Sequence, residues 1–340
     1  GLSQKLPFPG KRELRHDVAV ADASSITQAA EETNNRVARD VRVAYEELRL
    51  TLTSRRLLQD TLSTVEQLVA LARARYQVGQ AMQSDALQAQ SQAVRLQADL
   101  LRIDQEETMR RSELRRLLGD SAMSANSISP TRATLLAPPA GTQDLQELAL
   151  KQRPQLKALA ALIDKNEHEM ALARREFYPD FEVRLGYGLR SRALDGAPRD
   201  DMITVTVAVN LPLWRKGRLE PRLAEAAAMR QQAMSVSEGQ RIETRAALEQ
   251  AIASERQLRA SAELYRSTLM PQTEAAYESA LSAYRVGKVD FPALLDARMR
   301  IYEAAKSEAD AIAGHNKAIA EIDFLTGRAA SEASSEAPQS

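Results

Sequence analysis

Tyr76-Gln77-Val78-Gly79-Gln80 and Tyr284-Arg285-Val286-Gly287-Lys288 stand 208 residues apart, and their reading decides the fold. A glycine after a helical run suits the left-handed position that ends a helix. Ser84 or Asp85 can then cap a returning helix. The flanks support helices of unusual length. After Pro7 and Pro9 no proline occurs until Pro130, and another gap runs from Pro221 to Pro271. A proline inside a helix costs about 3 kcal/mol, so these stretches, rich in Ala, Leu, Gln, Glu and Arg, read as long helices. One from about Arg12 to Gln77 would extend roughly 100 Å, a length that implies a coiled coil or helical array.

The periodicity agrees. Val37, Val41, Ala44, Leu48, Thr51, Arg55, Leu58, Leu62, Val65, Val69, Ala72 and Tyr76 step by four and three without a break. Thr51 and Arg55 alone interrupt the apolar stripe. Ala86, Ala89, Ala93, Leu96, Leu100 and Ile103 continue the pattern after the turn, followed by Leu114 and Leu117. A sustained stripe of this kind faces a partner helix. The two segments therefore form an antiparallel hairpin.

The hairpin recurs. The offset of 208 also relates Leu87 to Leu295, Ala89 to Ala297 and Gly119 to Gly327. Upstream, Leu6-Pro7-Phe8 and Lys11 match Leu211-Pro212-Leu213 and Lys216 at an offset of 205. A period this long is a duplicated half-protein rather than a solenoid repeat. Residues 1–128 form the first copy and 129–328 the second, with a small polar tail at 329–340 expected to be disordered. The second copy has a helix (about Pro154 to Glu176) and two strand-like runs before its Leu-Pro. Nothing equivalent precedes Leu6, so the chain is expected to begin partway through a strand, with a leading helix and strand, and any signal peptide, lying upstream of Gly1.

Phe181, Val183, Leu185, Tyr187 and Leu189 alternate with polar or small residues, and Ile203, Val205, Val207, Val209 and Leu211 do the same. Each run approaches the 9–11 residues of a tilted membrane-crossing strand. Apolar-out, polar-in alternation marks an outer-membrane barrel, though a half-buried soluble hairpin gives the same pattern. No other sheet is available for packing, so closure would have to come from further copies of the chain. The Asp195-Gly196-Ala197-Pro198 segment reads as an external loop.

Composition narrows the function. The 340 residues carry 46 Lys+Arg against 46 Asp+Glu, and this zero net charge argues against nucleic acid as a partner. The absence of cysteine excludes thiolate sites. No Gly-rich phosphate loop, Gly-x-Ser-x-Gly elbow or other catalytic constellation is present, so neither an enzyme nor a cofactor is expected. His16, His168 and His315 are scattered and lack metal-ligand spacing, which predicts surface positions and no metal site. Met229 and Met234 do not share a helix face and are also read as surface residues.

Taken in order, Arg153-Pro154-Gln155-Leu156, Tyr178-Pro179-Asp180, Leu211-Pro212-Leu213-Trp214, both Tyr-x-Val-Gly turns and the segment around Pro271 resemble the outer-membrane efflux protein family of TolC-like factors. The Leu6-Pro7-Phe8-Pro9-Gly10-Lys11-Arg12 entry looks closest to the heavy-metal, CzcC-like branch. The resemblance implies a mainly α fold with a small β part, in which long antiparallel coiled-coil helices form a barrel. Strands from a homotrimer would complete an outer-membrane β-barrel in contact with lipid, this chain supplying three. It further implies a passive exit duct for small solutes, such as heavy-metal cations. The partners would be a periplasmic adaptor protein and an inner-membrane pump of the RND type. The alternatives are a soluble coiled-coil scaffold and the same fold serving type I protein secretion.

In such a duct the two turns form the periplasmic tip, which makes Val78, Gly79, Val286 and Gly287 the adaptor-contact candidates. Family members narrow the tunnel with acidic residues just past the turns, and Asp85 and Asp296 match those positions. A carboxylate ring on a threefold axis would favour cations. Asp290 reads as a cap for the following helix.

Overall fold

The computed structural model describes residues 1–119, 134–137, 142–190 and 200–328. The elements are β1 (Leu2–Leu6), α1 (Lys11–Gln77), α2 (Gln83–Leu118), α3 (Thr142–Gln152), α4 (Pro154–Arg175), β2 (Asp180–Gly188), β3 (Met202–Asn210), α5 (Glu220–Leu264), α6 (Met270–Arg285) and α7 (Phe291–Leu325). Short π-helical turns, Arg215–Leu219 and Tyr265–Leu269, precede α5 and α6. The fold is mainly helical with one small sheet, as the sequence indicates. The Asp195–Pro198 loop and the 329–340 tail lie outside the described residues.

Two compact units are present. The first comprises Gly1–Glu32 and Leu150–Thr244, the second Thr33–Ala149 and Arg245–Ser340. Each draws on both halves of the sequence.

In the first unit the sheet runs β1-β2-β3, antiparallel throughout. Its register sets apolar residues opposite each other: Phe181 pairs with Val209, Val183 with Val207, Leu185 with Val205 and Tyr187 with Ile203. Leu2 and Leu6 of β1 extend the same face against Leu185 and Phe181. Among the described residues this face stays uncovered, with Ile203, Val205 and Val207 all more than 60% exposed. A continuous apolar face left bare suits lipid, not water.

All three strand–helix connections lie at one end of this sheet. Lys11, itself buried, donates to Asp180 (2.7 Å) and to the Tyr178 carbonyl (3.0 Å). The Phe8 amide donates to the same carboxylate, and the Phe8 and Tyr178 rings stack 4.6 Å apart. Arg153, in the break between α3 and α4, forks onto Glu32 (3.0 and 3.2 Å) and donates to Thr244 (2.8 Å). A buried guanidinium is tolerable because these partners answer its charge and its donors.

In the second unit the sequence stripe is the core from Ala44 to Ala72. Leu48, Val65 and Ala72 are fully buried, whereas Val37 and Tyr76 at its ends are exposed. Thr51 is buried rather than disruptive, because its hydroxyl donates to the Glu47 carbonyl one turn back (2.9 Å). Arg55 leaves the stripe to pair with Asp104 (2.9 Å) and Glu107 (3.5 Å) on α2. Leu58 and Val65 pack on Ala93, Leu96 and Ile103 of α2, with Leu295, Met299 and Tyr302 of α7 alongside.

The structure corrects the surface reading of His315, which is fully buried. Its Nε2 lies 3.2 Å from the Leu136 carbonyl and its Nδ1 3.5 Å from Glu255 on α5. His16 is exposed, as are Met229 and Met234. Among the described residues no cluster of ligands could hold a metal ion, and no helix is long and apolar enough to cross a membrane.

Candidate functional site at the helix turns

The two Val-Gly turns fold identically. In the first, the Gly79 amide donates to Tyr76 O (3.0 Å) and the Gln80 amide to Arg75 O (2.8 Å). In the second, Gly287 donates to Tyr284 O (3.0 Å) and Lys288 to Ala283 O (2.9 Å). This pair of bonds is the Schellman arrangement, and it requires a left-handed residue at its centre. Gly79 and Gly287 supply it with φ of 74° and 75°. Val78 and Val286 are each 68% exposed, so both turns present the same apolar side chain to their surroundings.

Beneath them the ends of α1 and α6 and the starts of α2 and α7 share one core of Leu68, Val69, Ala72, Ala86, Ala89, Tyr284, Phe291 and Leu294. Tyr284 meets Phe291 edge-on at 5.6 Å. Arg75 ties the turns together: it donates to the Tyr284 carbonyl and to Gln80 O (3.3 Å), and its guanidinium lies 4.7 Å over the Tyr284 ring. These contacts satisfy carbonyls at the ends of α1 and α6 and add a cation–π attraction.

The four adaptor-contact candidates are thus brought together on one end of the unit. The two acidic candidates are not equivalent. Asp85 sits in the first turn of α2 and is buried, lining a crevice of about 560 Å³ with Arg75, Tyr284 and Lys288. Burial, with the Asp85 charge nearby, pushes the Tyr284 phenol above its ordinary value, and Arg75 opposes that shift. Asp296 is exposed, pairs with Arg300 (2.8 Å), and lines the groove between α2 and α7.

Neither Ser84 nor Asp85 caps α2. That position falls to Met82, which makes no capping bond, because the helix starts earlier than the sequence suggests. Asp290 does cap α7, accepting from the Ala293 amide (3.2 Å). Sequence reasoning missed Arg75 and the burial of Tyr284. The available signal was the difference between the copies at one position, Arg75 against Ala283 beside otherwise matching tyrosines.

The comparisons with known proteins agree with this architecture. The Vibrio cholerae outer membrane protein VceC superposes with a TM-score of 0.83 at 21% identity, over 96% of this chain and 78% of its own. The cobalt-zinc-cadmium resistance protein CzcC of Cupriavidus metallidurans is 25% identical over 185 residues, 54% of this chain. The fusaric acid resistance protein FusA of Burkholderia cepacia is 26% identical over 239 residues, 66% of this chain. The matched stretch spans 43% of each of these two resistance proteins. The family model described as "Outer membrane efflux protein" matches residues 1–120 and 145–328, and the chain belongs to that family.

Proposed function

We propose that the chain is a large part of an outer-membrane exit duct in a tripartite efflux system, working as a homotrimer built from two copies of one hairpin unit. The supporting observation is the pair of identical, rigid turns presenting Val78 and Val286 over a single core. Flexible connections would serve a scaffold equally well; two glycine-locked turns fixed by a shared Arg75 suit docking on a periplasmic adaptor. The bare apolar face of the sheet favours a lipid-embedded protein over a soluble coiled-coil scaffold. The likeness to CzcC favours small solutes, heavy-metal cations among them, delivered by an RND-type inner-membrane pump. Asp296 and Asp85 are the proposed tunnel constriction.

The test uses the full-length protein in a strain lacking its own gene. Restored tolerance to cobalt, zinc or cadmium, with the protein in the outer-membrane fraction as a trimer, is the expected result. A water-soluble monomer obtained without detergent overturns the duct. Tolerance restored to fusaric acid and not to metals leaves the duct but changes its cargo.

A further inference from the structure

The end of the sheet where all three strands meet the helices is rich in unpaired cations. β1 leaves this end at Leu6, β2 enters it at Asp180 and β3 leaves it at Asn210. Within a few residues come Arg12, Arg15, Arg175, Arg215, Lys216 and Arg218, all exposed and without an ion-pair partner among the described residues. Of the nearby carboxylates, Asp180 is paired with Lys11 (2.7 Å) and Glu176 with Arg222 (3.1 Å), which leaves the exposed Glu13 and Glu220 against six cations. Leu213 (76% exposed) and Trp214 (78% exposed) immediately precede the last three of these cations.

This order along the chain, a bare apolar strand, an exposed tryptophan and then three cations, matches the chemical profile of one bilayer leaflet. Apolar residues meet acyl chains, the indole sits at the headgroup level, and cations reach the phosphates with their stems along the apolar surface. Because the helices continue from this end of the sheet, it faces the periplasmic side. We propose that this junction binds anionic phospholipid headgroups of the periplasm-facing leaflet, with Arg215, Lys216 and Arg218 as the principal phosphate contacts. The charge complementarity is specific to anionic lipid, since a zwitterionic headgroup offers each cation a phosphate already shadowed by an ammonium. The inference rests on membrane placement alone and not on the efflux reading.

The test places the full-length trimer in nanodiscs of phosphatidylethanolamine with phosphatidylglycerol at about a third of the lipid, and counts retained lipids by native mass spectrometry. The wild type is expected to retain phosphatidylglycerol several-fold over its share. The triple variant Arg215→Gln, Lys216→Gln, Arg218→Gln should lose that preference, as should the wild type in high salt. Arg215→Lys with Arg218→Lys should keep it, and the charge-matched control Arg56→Gln, Arg73→Gln, Arg115→Gln should be unaffected. Equal retention of both lipids by the wild type overturns the proposal, as does an unchanged preference in the triple variant. Loss of metal tolerance with the lipid preference intact counts only against the efflux reading.

Discussion

The two turns share a backbone and differ in what lies under it. Both are Schellman turns centred on glycine, and both expose a valine to the same extent. Yet Tyr76 of the first is 47% exposed, whereas its counterpart Tyr284 is 3% exposed, stacked under Arg75 and against Phe291. The returning helices differ too: α7 has a side-chain cap at Asp290, and α2 has none. Backbone geometry constrains both turns equally, because each needs a left-handed residue. Packing constrains one, because the shared core takes in Tyr284 and leaves Tyr76 at the surface. The second turn is therefore the anchor and the first is laid over it.

The largest effect that would break this contrast comes from Tyr284→Ala, expected to cost about 3–5 kcal/mol of stability because it empties a buried site. Tyr76→Ala should cost well under about 1 kcal/mol, as surface changes do; equal losses in a denaturant titration would show that both tyrosines are structural. Next come Gly79→Val and Gly287→Val, each expected to cost about 1–2 kcal/mol from left-handed strain. Crowding adds little, since a Cβ at Gly79 meets nothing within 4 Å and one at Gly287 meets only Arg75 at 3.8 Å. Adaptor binding, followed by pull-down of the full-length protein, should fall in both; loss in one alone would assign docking to a single turn.

Asp290→Ala should remove about 1 kcal/mol through the lost cap, while Ser84→Ala should change the midpoint very little. A marked loss at Ser84 would mean that α2 is capped after all. Asp296→Ala should cost only about 0.3–0.5 kcal/mol of stability, as an exposed helix ion pair does. Its value lies in conductance: removal of a constricting carboxylate should raise single-channel current or weaken cation block in the full-length trimer. Unchanged conductance and block would discard that assignment.

Much of this was legible in the residues. The four-three stripe marks the buried side of α1 because helix periodicity alone dictates it, and the alternation in β2 and β3 likewise fixes the apolar face of the sheet. What escaped depended on contacts distant in sequence. His315 is buried by Glu255 and by the carbonyl of Leu136, and neither leaves a local trace around residue 315. Thr51 looks polar in a list of residues but hides its hydroxyl in its own helix. The different settings of Asp85 and Asp296 also follow from packing: one carboxylate lies near the Tyr284 core and the other faces the solvent.

The π-helical turns carry a consequence for how such an arm can change length. Between the matched Leu-Pro and Val-Gly landmarks the offset grows from 205 to 208, so the later arm holds three more residues than the earlier one. An extra residue inside an α-helix swings everything beyond it by about 100° and would turn a packed stripe away from its partner. Widening one turn to the π form swallows that residue on the spot. The later arm has two such swellings, and Pro271, which has no amide hydrogen to give, stands two residues after the end of one of them. Two of the three added residues are thereby taken up where they enter, and to that extent growth of the arm is uncoupled from the orientation of its packed side.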